Sequence, residues 1–234
     1  CRLIKKSKMV DNIFDYTIEA PDIAAQAKCG QFLHIMCGGK TFLRRPISIC
    51  DSDKNTVRFI FEVKGEGTRE LAKIKEGEFI NIMGPLGNGF STEGRKNAVI
   101  IGGGIGVFPL YKLAKSIDAT VFLGFRSADR VVMEKEFETV SQNVFIGTDD
   151  GSYGYKGYIA SAMEYYISNT DCGVIYACGP MPMLKAVKEI AQKHSIECQL
   201  SLEQRMGCGL GACLVCTCES TLEGTDKNLR VCKH

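Results

Sequence analysis

Four cysteines near the end of the chain limit its fold more than any other feature. Cys208, Cys213 and Cys216 follow the spacing C-x4-C-x2-C, and Cys232 comes after 15 intervening residues. This is the ligand spacing of a plant-type 2Fe–2S cluster, in which four thiolates hold two irons. Zinc sites favour pairs of cysteines two to four residues apart, which fits a single run poorly. The spacing favours an iron–sulfur cluster, with structural zinc as the alternative.

The segment around these cysteines, residues 197–234, has too few apolar residues for a core of its own. Something other than hydrophobic burial must therefore hold it together. The chain has 12 cysteines in 234 residues, but they crowd at one end, unlike the framework of a small disulfide-rich domain. Cys218, two residues after Cys216, is either a bystander or an alternative ligand.

Charge and hydropathy exclude two classes of function. The chain has 29 basic and 27 acidic residues and a net charge of +2, so no basic excess drives nucleic-acid binding. The longest nearly charge-free apolar stretch, residues 98–111, contains glycine and proline and is too short to span a membrane. No apolar leader follows the charged N-terminus. We expect a cytoplasmic protein with neither nucleic-acid nor membrane partners.

The first part of the chain, residues 1–93, is predicted to form short strands. Residues 57–64 alternate apolar and polar side chains with period 2, which is typical of a half-buried strand. Further strands are predicted at residues 30–36, 45–49 and 78–83, with a helix only at residues 69–75. Several short strands separated by turn residues predict an antiparallel barrel or sandwich.

The second part, residues 94–196, alternates strands and helices. The predicted strands are residues 98–101, 120–125, 143–147 and 174–177, and the predicted helices are residues 107–116, 132–140, 159–167 and 183–194. This order predicts a parallel sheet covered on both faces. We therefore expect a multidomain β plus α/β protein with three domains: residues 1–93, 94–196 and 197–234, the last opening with a strand at 198–202.

Two turns in the second part have the composition of a nucleotide site. The glycine-rich turn at residues 102–106 lies between a strand and a helix, where unpaired N–H groups favour a phosphate. It departs from G-x-G-x-x-G because Val107 stands at the third glycine. Residues 178–180 also follow a strand, at the edge where α/β sheets bind ligands. Each turn alone has an ordinary structural explanation, but together they suggest two walls of one pocket.

Two runs in the first part have the chemistry of an anion site. Arg45-Pro46-Ile47-Ser48 places a guanidinium and a hydroxyl on one strand, and Arg matches the bidentate geometry of a phosphate. Gly65-Glu66-Gly67-Thr68 precedes the predicted short helix. Taken separately, a structural Arg and a simple turn explain them better. The three histidines, His34, His194 and His234, stand outside any motif, and we expect surface or core roles for them.

In this order, the runs RPIS, GEGT, GPLGNGF, GGGIG and CGPMPML, followed by the cysteine run that Glu203 opens, resemble the ferredoxin-NADP reductase superfamily. Within it they are most similar to the electron-transfer subunits of class 1B dihydroorotate dehydrogenase. The resemblance extends over essentially the whole chain. It implies a flavin-binding antiparallel barrel, a nicotinamide-binding α/β domain and a small 2Fe–2S domain.

The resemblance also implies cofactors and residue roles. FAD is expected at Arg45, Pro46, Ile47, Ser48, Ile60, Phe61, Glu62, Gly67 and Thr68; NAD(H) at Gly102, Gly103, Gly104, Gly106, Cys178, Gly179 and Pro180; and the 2Fe–2S cluster at Cys208, Cys213, Cys216 and Cys232. Arg126, just after the second strand of the α/β part, is a candidate 2′-phosphate contact, so NADP stays open beside NAD.

The function implied by the resemblance is electron transfer in pyrimidine biosynthesis. A partner subunit oxidises dihydroorotate on its FMN, and electrons pass through the cluster and FAD to NAD, in a heterotetramer with two of each subunit. No catalytic side chain is expected here. Two alternatives remain. One is the nicotinamide-oxidising subunit of a ferredoxin:NADP reductase, whose first ligand is commonly Asp where this chain has Cys208. The other is a zinc-stabilised nucleotide-binding module without redox activity.

Overall fold

A computed structural model describes nearly the whole chain. The described residues are 1–39, 41–220 and 228–233. The chain forms two compact units: Cys1–Gly89 together with Glu203–His234, and Phe90–Leu202. The three predicted domains, with their boundaries after residues 93 and 196, stay a proposal.

The first unit contains an antiparallel barrel. Its strands are β1 (Arg2–Val10), β2 (Ile13–Glu19), β3 (Phe32–Met36), β4 (Arg45–Ser52), β5 (Thr56–Glu62) and β6 (Asn81–Leu86), with short helices α1 (Pro21–Ala24) and α2 (Glu66–Leu71). They are ordered β1-β2-β5-β4-β3-β6. The N–H of Leu3 donates to Glu78 O over 2.9 Å and that of Ile80 to Cys1 O over 2.8 Å, which joins β1 to the segment entering β6.

The alternating pattern of β5 sets the barrel core. Val57, Phe59 and Phe61 are buried on one face, as a period of 2 predicts. Tyr16 packs edge-on against Phe61, with ring centroids 5.1 Å apart. Its hydroxyl donates to Leu71 O over 2.9 Å. This contact fixes α2, whose N-terminal turn is formed by the GEGT run, against the core.

The second unit is a parallel sheet with helices. Its strands are β7 (Ala98–Gly103), β8 (Ala119–Phe125), β9 (Val144–Thr148), β10 (Tyr155–Lys156), β11 (Val174–Cys178) and β12 (Glu197–Ser201), and its helices are α3 (Phe108–Ser116), α4 (Glu134–Val140), α5 (Ile159–Ile167) and α6 (Met181–Lys193). The order is β10-β9-β8-β7-β11-β12. The chain therefore changes direction across the sheet between β7 and β11, which is where such sheets bind ligands.

The predicted elements agree with the structure in type, but several ends differ. The helix predicted at residues 69–75 is α2, which begins earlier, at Glu66, and ends at Leu71. The helix predicted from residue 107 begins as a 3-10 turn, Gly104–Val107, and continues as α3. The helix predicted from residue 132 begins at Glu134, because Met133 has a left-handed φ of 60°. Strand β12 extends the parallel sheet beside β11. No helix among the described residues is long and apolar enough to cross a membrane.

The cysteine-rich segment packs on the outer side of the barrel. Its strands β13 (Thr217–Glu219) and β14 (Asn228–Arg230) form an antiparallel ribbon. Cys216 and Cys232 are buried in a small cluster with Phe32 of β3. The neighbours of Phe32 on β3, Leu33 and Ile35, belong to the barrel core instead. One strand of the barrel thus separates the core from the cysteine segment.

Candidate functional site

The four predicted cluster ligands meet as two pairs. The N–H of Cys208 donates to Cys213 Sγ and the N–H of Cys213 donates to Cys208 Sγ, each over 3.4 Å. Cys216 Sγ lies 3.2 Å from Cys232 Sγ. Two thiolates for each of two irons is the donor set of a 2Fe–2S cluster. In the described part of the chain, no group of three or more Cys, His, Asp or Glu side chains is arranged around a single metal ion.

The backbone of the loop points at these sulfurs. The N–H groups of Leu210 and Ala212 each donate to Cys208 Sγ over 3.3 Å, and that of Gly211 donates to Cys232 Sγ over 3.1 Å. Gly209 and Gly211 make this possible with left-handed φ values of +72° and +81°. The residues present therefore fit a sulfur-rich anionic group.

One thiol of each pair has a shifted pKa. Hydrogen bonds from the backbone of Leu210 and then Cys213 lower the pKa of Cys208 to about 6. Burial, followed by the neighbouring Cys216, raises the pKa of Cys232 to about 11. Cys208 is therefore already inclined to thiolate, whereas Cys232 needs the positive charge of a metal to lose its proton. Cys218 lies on β13, opposite Leu229 of β14.

The outer surface of the cysteine loop is apolar and exposed. Leu210, Leu214 and Val215 are 57%, 60% and 56% exposed, and Cys213 is exposed as well. Apolar side chains that gather at one loop without a covering element are typical of contact surfaces. By contrast, Cys216 and Cys232 are almost fully buried.

The two predicted flavin motifs come together in the barrel. Arg45 lies over the GEGT turn so closely that a Cβ on Gly67 would be 2.8 Å from Arg45 Nε. Arg45 Nη1 also donates to Leu43 O over 2.6 Å. A guanidinium held beside a turn of backbone N–H groups is suited to an anion such as a diphosphate.

Several other predicted flavin residues have side chains that are already engaged within the protein. The Phe61 side chain packs in the core, stacked on Phe14 at 5.8 Å, so only its backbone is available to a flavin. Glu62 pairs with Lys64 over 3.0 Å. The Thr68 hydroxyl accepts the N–H groups of Lys64 and Gly65 over 3.0 and 3.2 Å. Thr68 therefore holds the turn itself. Ile60 is buried on β5, and Pro46, Ile47 and Ser48 are half-buried on β4.

The two predicted walls of the nicotinamide pocket are in contact. A Cβ on Gly106 would lie 2.5 Å from Cys178 O and 2.6 Å from Gly179 Cα, and one on Gly103 would lie 2.9 Å from Pro180 Cδ. Only glycine allows this approach. The contact joins the ends of β7 and β11, between which the sheet order reverses.

A third turn lies beside Arg126 at the same edge of the sheet. The N–H of Asp150 donates to Arg126 O over 3.3 Å, and the N–H of Ala128 donates to Ser152 Oγ over 2.8 Å. Hydrogen bonds from the Ser152 side chain and backbone lower the pKa of Asp150. The turn at residues 149–152 therefore braces the loop after β8, a contact that no sequence motif indicated.

Similarity to known proteins identifies the family. Residues 203–234 match the iron-sulfur cluster binding domain of dihydroorotate dehydrogenase B, and residues 100–189 match the oxidoreductase NAD-binding domain. The dihydroorotate dehydrogenase B (NAD(+)) electron transfer subunit of Caldanaerobacter subterraneus subsp. tengcongensis is 39% identical over 99% of this chain and 92% of its own. The chain belongs to this family. The electron transfer subunit of Bacillus mycoides is 37% identical over 92% of this chain and 86% of its own.

A solved structure supports the fold over the whole chain. It belongs to an NADH-dependent reduced ferredoxin-NADP oxidoreductase that was studied for flavin-based electron bifurcation. It is 31% identical in sequence, and the alignment covers 99% of this chain and 85% of the solved one. The two superpose with a TM-score of 0.89. The predicted family and fold class are thereby confirmed. The roles of individual site residues stay predictions.

The contact between Arg45 and Gly67 allows a direct test of the predicted role of Arg45 in FAD binding. In Gly67→Ala the new Cβ, 2.8 Å from Arg45 Nε, displaces the flexible guanidinium rather than the backbone. A charge-assisted hydrogen bond is worth about 1.5–3 kcal/mol, so we expect FAD to bind roughly ten times more weakly or worse. Flavin fluorescence on titration of the apoprotein measures the Kd.

A double-mutant cycle shows whether Arg45 transmits this effect. If it does, Gly67→Ala weakens FAD binding in the native background but adds little to Arg45→Ala. Full additivity of the two changes in binding free energy would mean that Gly67 acts on the flavin by another route.

Proposed function

We propose that this chain carries electrons between NAD and a partner subunit that oxidises dihydroorotate on FMN, with a 2Fe–2S cluster and FAD as its carriers. The observation that supports this most is the pairing of the four thiols on the outer side of the barrel. The same barrel brings Arg45 and Gly67 into contact. Relatives that align with most of this chain are named electron transfer subunits of dihydroorotate dehydrogenase B.

The matched family models and the reductase structure confirm the predicted cofactors, which are a 2Fe–2S cluster, NAD(H) and FAD. A nicotinamide exchanges two electrons as hydride and the cluster exchanges one, so the flavin supplies the conversion between them. The protein contributes binding, placement and electrostatics, and no side chain acts as an acid or base on dihydroorotate.

The binding roles follow from the contacts already described. Cys208 with Cys213, and Cys216 with Cys232, hold the two irons. Arg45 and the turn that contains Gly67 bind the anionic part of FAD. The turns at residues 102–106 and 178–180 bind the nicotinamide nucleotide. Asp149 and Asp150 directly follow β9, and their N–H groups donate to Phe125 O and Arg126 O. Their negative charge beside Arg126 disfavours a 2′-phosphate, which supports NAD over NADP.

The exposed apolar loop is the proposed contact with the partner. Leu210, Leu214 and Val215 are exposed on the same loop as the exposed ligand Cys213, and burying them against another protein is favourable. An electron that passes between the partner's FMN and the cluster must cross a protein surface close to the cluster. The FMN-bearing catalytic subunit is therefore expected to cover this loop. The heterotetramer and the cytoplasmic location stay predictions.

The first test is the cofactor content of the purified protein. We expect a brown-yellow protein with one FAD and two irons per chain, because the four thiols match a two-iron donor set. Iron analysis, zinc analysis and flavin released on denaturation give the stoichiometry. Stoichiometric zinc with iron near zero would refute electron transfer and favour the zinc-stabilised nucleotide-binding module.

One observation favours a second electron-transfer function. The solved structure with a TM-score of 0.89 belongs to a ferredoxin-NADP oxidoreductase, so the nicotinamide-oxidising subunit of such a complex is the alternative. Cys208 stands where that relative commonly has Asp, and the relatives at 39% and 37% identity bear the dihydroorotate dehydrogenase name. The electron acceptor separates the two functions: dihydroorotate with a catalytic subunit, or ferredoxin.

A further inference from the structure

We propose that His34 is a positioning residue that fastens the first cluster ligand to the flavin barrel and raises the reduction potential of the cluster. The proposal rests on the proposed function, because it requires a 2Fe–2S cluster at the four cysteines. It concerns a residue of the barrel that no motif singled out.

The imidazole lies directly against the cluster loop. His34 is on β3 and is completely buried. A Cβ on Gly209 would be 2.8 Å from His34 Nδ1 and 3.3 Å from His34 Cε1. Gly209 follows Cys208, and its left-handed φ of +72° brings its Cα onto the ring. The absence of a side chain at Gly209 therefore lets the ligand loop rest on His34.

Neither nitrogen of the His34 ring makes a well-formed hydrogen bond. Both Nδ1 and Nε2 are buried without a hydrogen-bond partner among the described residues. An imidazole carries at least one N–H in either protonation state, and a buried donor without a partner is costly. The backbone of Cys208 lies close enough to the ring to act as that partner.

Strand β3 connects both thiol pairs to the flavin strand. Phe32, two residues before His34 and on the same face, packs against Cys216 and Cys232. Across the ladder, His34 is paired with Pro46 of the RPIS run. One face of β3 therefore contacts the second pair through Phe32 and the loop that carries Cys208 through His34, while its neighbouring strand carries the flavin motif.

The consequence for the cluster follows from charge. Hydrogen bonds to the sulfurs and to the ligand loop stabilise the more negative, reduced form of an iron–sulfur cluster and so raise its potential. A donor fixed at Cys208 also holds that ligand at a constant distance from the strand beside the flavin. Loss of the donor is expected to lower the potential while the cysteines still bind the cluster.

The test compares donor-free and donor-bearing substitutions in the cofactor-loaded protein. His34→Phe and His34→Leu remove the N–H, whereas His34→Asn keeps one near the position of Nδ1. EPR-monitored redox titration gives the midpoint potential, and iron analysis gives the cluster content. We expect the midpoint potential to fall by roughly 59 mV in the donor-free variants, which corresponds to a tenfold smaller equilibrium constant for one-electron reduction. We expect His34→Asn to recover most of the loss.

His194→Phe is the matched control. His194 lies in the other unit, where its buried Nε2 makes no hydrogen bond within the described residues and lies 3.7 Å from Glu164 Oε1. Its substitution should leave the potential unchanged. Iron loss in both donor-free variants but not in His34→Asn would also support a donor that holds the loop.

Two results would overturn the proposal. One is a potential equal to that of the native protein in a donor-free variant that retains its cluster. The other is loss of iron from all three variants, which would mean that His34 acts only through packing. A native protein without iron would instead refute the proposed function, so the two failures are distinguishable.

Discussion

Cys213→Ser is expected to remove the cluster and leave FAD bound. Cys213 exchanges backbone-to-sulfur hydrogen bonds with Cys208, so its loss leaves one iron with a single thiolate. The flavin motifs belong to the barrel strands and the first turn of α2, which this change does not touch. NADH should still reduce the flavin, whereas electron transfer to a one-electron acceptor should fall to background. Iron content, visible absorption and stopped-flow reduction of the flavin measure the three effects.

Two further serine variants identify the fourth ligand. Cys232 lies 3.2 Å from Cys216 between sulfur atoms, whereas Cys218 lies on the ribbon strand β13. Cys232→Ser should therefore lose the cluster, and Cys218→Ser should be nearly silent. The opposite pattern, with the cluster lost from Cys218→Ser and retained in Cys232→Ser, would replace Cys232 by Cys218 in the ligand set.

Gly106→Ala should weaken the binding of the nicotinamide nucleotide. The new Cβ would lie 2.5 Å from Cys178 O and 2.6 Å from Gly179 Cα, and backbone atoms cannot swing aside. The turns at residues 102–106 and 178–180 must then separate. Overpacking of this kind costs about 1–3 kcal/mol, so we expect NADH affinity to fall roughly tenfold or more. The NADH dependence of flavin reduction gives the Kd, and thermal unfolding gives the stability.

Gly94→Ala is the control for this prediction. Gly94 lies in the same unit and has a left-handed φ of +71°, but a Cβ there meets no atom within 4 Å. An alanine at this position carries backbone strain of about 1 kcal/mol without a clash. Its stability should fall slightly and its NADH affinity should not change. Equal affinities in Gly106→Ala and the native protein would show that the contact between the two turns does not shape the pocket.

Sequence patterns predicted the parts of the site that depend on local spacing or on topology. The run from Cys208 to Cys216 is local, and its spacing alone indicates the cluster. The turns at residues 102–106 and 178–180 are far apart in sequence, but parallel strands bring their carboxyl ends to one edge of the sheet. Their contact could therefore be expected once alternating strands and helices were recognised.

Other features required the three-dimensional structure. Whether the Phe61 side chain faces the core or the flavin depends on the register of β5, which a one-residue shift would reverse. The Thr68 hydroxyl is used by its own turn, which its sequence neighbours do not reveal. His34 looked like an isolated histidine because its contact, Gly209, lies 175 residues further along the chain. Tertiary packing decides such contacts, and no periodicity records them.

The most direct test of the central claim is the appearance of NADH from dihydroorotate and NAD. The assay uses this chain alone, the FMN-bearing catalytic subunit alone, and both mixed, each loaded with its cofactors. We expect no NADH from this chain alone, because none of its side chains is assigned as a base for dihydroorotate, and sustained NADH formation only from the mixture. Dihydroorotate oxidation by this chain alone, or no NADH from the mixture of two cofactor-replete subunits, would contradict the account.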